Sequence, residues 1–68
     1  MIEITINGDP HQMDDGLNLV ELLQRLKLDP TKVAIERNLE IVPKTTYQDV
    51  TVSHGDRLEI VHFIGGGK

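Results

Sequence analysis

Ile2, Ile4 and Ile6 alternate with Glu3, Thr5 and Asn7 at the start of the chain, a period of two that predicts a strand with one buried face. Asn7-Gly8 then predicts a tight hairpin, because both residues tolerate positive φ, and a short second strand returns through His11-Gln12-Met13. Asp14-Asp15-Gly16 breaks that strand, with the two carboxylates placed to favour the positive end of a following helix. The helix start is marked by Asn18 as N-cap, Glu21 closing a capping box, and Leu17 placed to staple onto Leu22. Leu19, Leu22, Leu23 and Leu26 fall on one stripe of a helix of about ten residues, which Asp29-Pro30 is expected to end.

Val33-Ala34-Ile35-Glu36 predicts a third strand, turning at Arg37-Asn38-Leu39-Glu40 into Ile41-Val42, with Pro43 stopping any longer run. The stretch from Lys44 to Val52 is mixed, with Tyr47 and Val50 as its expected anchors, and His54-Gly55-Asp56 is a further turn. From Arg57 to Ile64 the alternation returns. Leu58, Ile60, His62 and Ile64 are expected on the core side, and Arg57, Glu59, Val61 and Phe63 on the other. The order is strand, strand, helix, strand, short strand, strand, with the helix able to cover one sheet face. The first and last strands are the strongest. Side by side and parallel in the sheet centre, they give an α+β, ubiquitin-like β-grasp with a mixed sheet of four to five strands.

The domain is expected to span 1–64, leaving 65–68 as a flexible C-terminal tail. Gly65-Gly66-Gly67 carry no side chains, which suits a segment threaded into a narrow partner site, although chain ends also fray for no functional reason. A chain of 68 residues has little core from which to carve a catalytic pocket. It has no cysteine, so thiolate zinc sites and thiol nucleophiles are excluded, in keeping with a reducing compartment. The formal charge of −4 disfavours nucleic acid and anionic membrane as partners and favours a basic protein face. The N-terminal segment has neither a signal-peptide nor a membrane-span pattern, and the expected location is cytoplasmic.

His11, His54 and His62 have no ligand spacing, so no metal site is expected. His54 is read as a solvated turn residue and His62 as a structural histidine on the core side. Val61 and Phe63, outward beside the tail, are candidates for a partner-docking patch, against the plainer reading that isolated exposed apolar residues are common. No nucleophile and base pair stands out for an enzyme in its own right.

The opening ITING, the Asp15-Gly16 entry to a Leu-rich helix, VAIERN, EIVP and above all HGDRLEIVHFIGGG resemble the ThiS family, the sulfur carriers of thiamine biosynthesis, over essentially the whole chain to Gly67. The resemblance implies a protein co-substrate rather than an enzyme. In that cycle an E1-like adenylyltransferase (ThiF) uses ATP to activate the terminal carboxylate, sulfur from a cysteine desulfurase gives a thiocarboxylate, and thiazole synthase (ThiG) receives the sulfur. No cofactor is expected to be bound stably. Gly67 would bear the reacting group, with Gly65 and Gly66 reaching through the partner's channel. Two departures stand out. Lys68 follows the position where the family ends in glycine, so it is either trimmed before use or an artefact of expression, ahead of the least favoured alternative that the lysine carboxylate itself reacts. Leu39 stands where the family commonly has glycine, and Asn38 is expected to take the left-handed position instead. The alternatives sharing these features are the small subunit of molybdopterin synthase, a ubiquitin-like modifier and an interaction module.

Overall fold

The computed structural model describes residues 1–62. Strand β1 (Ile2–Ile6) turns into β2 (Asp9–Met13), helix α1 (Leu19–Arg25) crosses the sheet, β3 (Val33–Arg37) and β4 (Glu40–Val42) form a second hairpin, and β5 (Arg57–His62) closes it. Short 3-10 turns occupy Pro30–Lys32 and Lys44–Thr46. The five-stranded sheet runs β2-β1-β5-β3-β4, with β1 and β5 parallel and the other neighbours antiparallel. This is the expected mixed β-grasp sheet, with β5 at its centre.

Alternation in β1 and β5 and the leucine stripe of α1 meet in one core. Ile4, Leu19, Leu22, Leu23, Val33, Ile35 and Leu58 are almost completely sealed from solvent. Truncating any one of these leucines to alanine would cost about 2–5 kcal/mol, a large share of the stability of so small a domain. Tyr47 is buried as expected. Val52, rather than Val50, is the second deep anchor of the 44–52 stretch, and its amide donates to the Leu17 carbonyl at 2.9 Å.

The helix start follows the sequence closely. The Asn18 side chain accepts from the Glu21 amide at 2.8 Å while Glu21 Oε1 accepts from the Asn18 amide at 3.0 Å, so the capping box is complete. The helix end differs. α1 stops at a C-cap on Leu26, ahead of Asp29-Pro30. Lys27 takes φ 61, its amide donates to the Gln24 carbonyl at 3.0 Å, and the Leu28 amide reaches back to the Leu23 carbonyl at 2.9 Å. Those two bonds are the Schellman closure, here with lysine in the left-handed place that glycine usually fills. Asp29 instead caps the following 3-10 turn, accepting from the Thr31 amide at 2.9 Å and its hydroxyl at 2.7 Å. The backbone hydrogen bond from Thr31, then its hydroxyl, holds the Asp29 carboxyl below its ordinary value. Asp14 is also not at the helix start. Its carboxylate pairs with Arg25 in the last helical turn at 2.8 Å, an exposed bridge.

Candidate functional site

Because β5 is the central strand, the segment that precedes the glycines is held from both sides. On one side the Thr5 amide donates to the Asp56 carbonyl and the Asn7 amide to the Leu58 carbonyl, both at 2.9 Å. Asn7 has already left the strand, at φ 50 in the hairpin turn, yet its side chain carries the pairing one step further. Its Oδ1 accepts from the Ile60 amide at 2.8 Å and its Nδ2 donates to the Ile60 carbonyl at 3.1 Å. One primary amide thus does for β5 what a further strand residue would do. Sequence reading assigned Asn7 to the turn for its φ alone and missed this second role.

On the other side, β3 pairs with β5 from Val33 opposite His62 to Arg37 opposite Leu58. The adjoining turn adds Asn38, whose amide donates to the Arg57 carbonyl at 2.8 Å and whose Oδ1 accepts from the Arg57 amide at 3.0 Å. Beneath it lies Asp56, the one buried charged side chain among the described residues. Its carboxylate accepts from Arg37 Nε at 2.9 Å, Asn38 Nδ2 at 3.2 Å and the Ser53 amide at 2.8 Å. Burial by itself would push its pKa up. The Ser53, Arg37 and Asn38 hydrogen bonds outweigh that and hold it below the ordinary carboxylate value. Sequence reading treated Asp56 only as a turn residue. The signal available was the Gly55-Asp56 pair at a strand entrance, which does not by itself reveal partners at Arg37 and Asn38.

Of the two histidines with assigned roles, His54 is the exposed turn residue expected, while His62 departs from the core placement expected. His54 is exposed, but its Nδ1 accepts from the Glu3 amide at 3.0 Å, while the Gly55 amide donates to the Glu3 carbonyl at 2.8 Å. It ties its turn to the start of β1. His62 sits at the end of β5 and is exposed rather than packed in the core. It borders a cleft of about 210 Å³ with Ile6, Asn7, Leu26, Leu28, Val33 and Ile60.

Val61 lies on the outer sheet face and is 60% exposed, the outward placement that the alternation predicts. Phe63, Gly65, Gly66, Gly67 and Lys68 lie outside the described residues, as do the ends of the proposed domain and tail. Among the described residues there is no cluster of His, Asp and Glu able to hold a metal ion, and no helix long and apolar enough to cross a membrane.

The ThiS family model matches residues 4–67. The chain belongs to the ThiS family. A sulfur carrier protein ThiS from Bacillus subtilis is 38% identical over 65 residues, covering 94% of this chain and 98% of that protein. The crystal structure of a ThiS thiamine biosynthesis protein from Geobacter metallireducens superposes with a TM-score of 0.83 at 36% identity, over 97% of this chain and all of that one. A thiazole synthase from Paramagnetospirillum magneticum is 50% identical over 66 residues, which is 97% of this chain but 20% of that protein. The chain thus spans about a fifth of the length of the thiazole synthases it matches. Its mixed five-stranded sheet with one helix is the β-grasp fold of the ThiS structure it superposes on.

Proposed function

We propose that the carboxylate of Gly67, once Lys68 has been removed, is the reacting group of this carrier. A free carboxylate is a poor acyl donor, so an E1-like adenylyltransferase joins it to AMP from ATP. The persulfide of a cysteine desulfurase then displaces AMP to form an acyl disulfide, a thiol reductant cleaves that S–S bond to leave the thiocarboxylate, and the thiocarboxylate gives its sulfur to thiazole synthase during assembly of the thiazole ring. Gly65 and Gly66 let the end pass through a narrow channel, since no side chain has to be accommodated. Val61 and Phe63 contribute to the docking face. The chain acts as a co-substrate in the cytoplasm, binds no cofactor stably, and leaves nucleotide binding and proton transfer to its partners.

The observation that carries this reading is the family match through Gly67, which takes in all three glycines. The central position of β5 adds to it, because the strand leading toward those glycines is paired on both sides. Support for thiazole synthase as a partner comes from relatives of that name that contain a segment like this chain. The decisive measurement is intact mass. Protein ending at Gly67, incubated with the adenylyltransferase, ATP and a sulfur source, is expected to gain the mass difference between sulfur and oxygen. An unchanged mass, or a gain that survives deletion of the glycines, overturns the reading.

A further inference from the structure

The outer sheet face contains an arrangement that fold stability does not account for. Glu36 on β3 lies directly opposite Glu59 on β5, and Ile41 on β4 lies directly opposite Glu36, so two carboxylates and an isoleucine form one row across three strands. Side chains in such register sit about 5 Å apart at Cβ, where like charges oppose pairing. Arg57 shares this face two residues before Glu59, yet neither glutamate has an ion-pair partner among the described residues. The next row places Ala34 opposite Val61. Ile41 is 68% exposed and Val61 60%, so the carboxylate pair is bordered by uncovered apolar surface on both sides.

We propose that this face, Ile41, Ala34 and Val61 around the facing carboxylates of Glu36 and Glu59, seats an arginine side chain of thiazole synthase. The inference rests on the carrier reading and specifies how one partner recognises the carrier. Covering the apolar residues would strip water from the carboxylates, which is tolerable only if the covering surface supplies positive charge. A guanidinium suits the gap, because its five donors in a planar fork can serve two carboxylates at once. Nucleic acid and anionic lipid carry the wrong charge. A second copy does too, since a twofold pairing through this face would set four carboxylates against one another. Thiazole synthase is the occupant because relatives of that name hold a segment like this chain within the same polypeptide, which keeps the two surfaces in each other's reach.

The test is binding of the full carrier to purified thiazole synthase, followed by fluorescence anisotropy at several salt concentrations. Glu36→Gln and Glu59→Gln are each expected to weaken binding about tenfold and to flatten its salt dependence, as loss of one charge-assisted contact would. The same two variants should leave the thermal midpoint of the free carrier unchanged or raise it, because they relieve a repulsion. Asp49→Asn removes the same charge from an exposed loop elsewhere and should bind as the wild type does. Glutamine variants that bind like wild type, or that lose no more than Asp49→Asn, overturn the inference while leaving the carrier reading intact. Wild-type carrier that shows no binding to the synthase overturns the inference as well, and the mass measurement then decides the carrier reading separately.

Discussion

The two hairpins make the same turn with different second residues. Asn7-Gly8 joins β1 to β2 with φ of 50 and 87, and Asn38-Leu39 joins β3 to β4 with φ of 52 and 73. Both are two-residue loops with positive φ at both positions, the geometry that matches strand twist. The expectation that Asn38 alone would take the left-handed position is therefore corrected, because Leu39 takes it too. Both asparagines do more than tolerate that backbone, since each side chain hydrogen-bonds β5, Asn7 at Ile60 and Asn38 at Arg57. The first position of each turn holds the central strand, while the second position only has to turn. Glycine does that without strain. Leu39, 88% exposed, does it at a conformational cost with no burial in return.

The largest expected effect comes from the Asn38 side of this comparison. Asp56→Ala leaves Arg37, Asn38 and the Ser53 amide without their shared acceptor and should cost about 3 kcal/mol in urea denaturation. The pH dependence sharpens the point. The folded carboxyl lies below its ordinary value of 3.8, so its contribution is fully present above that pH and fades as pH falls through the lower, folded value. Wild-type stability should show that acid slope and the alanine variant should lack it; parallel curves would mean the network contributes nothing specific.

Asn7→Gly tests the other turn without disturbing its backbone, because glycine reaches the same φ. Two lost hydrogen bonds to Ile60 should lower stability by about 2 kcal/mol. Amide exchange at Ile60 should quicken more than exchange in β2. If Ile60 remains as protected as before, the side chain is not what holds that end of β5. The smallest effect has the opposite sign. Leu39→Gly should stabilise by about 0.5–1 kcal/mol, the left-handed strain released less the extra freedom glycine brings to the unfolded chain. A neutral or destabilising result would show that Leu39 sits there without strain.

Much of the fold was legible because local patterns and tertiary needs coincide. The Ile2-Ile4-Ile6 alternation, the Asn18–Glu21 box and the leucine stripe each depend on neighbours within one turn or one strand. What escaped were features decided by residues distant in the chain. Asn7 meets Ile60 and Arg37 meets Asp56 only after the sheet has assembled, so nothing near either residue announces the bond. The helix terminus was misplaced for a related reason, since Lys27 is a poor left-handed residue by propensity and adopts that state because Leu28 is drawn back onto the core. On the outer face, Val61 could be placed by alternation alone. The facing of Glu36 and Glu59 needed the register.

The parallel contact of β1 and β5 also sets how the domain meets mechanical load. Traction on the C-terminal end of β5, opposed at the N-terminal end of β1, slides one strand lengthwise against the other. The bonds from Thr5 and Asn7 to β5 then share the force and must rupture together, instead of opening in succession like a zip. A pull on that end of β5 is thus borne in shear, and the sheet behind it resists being unravelled.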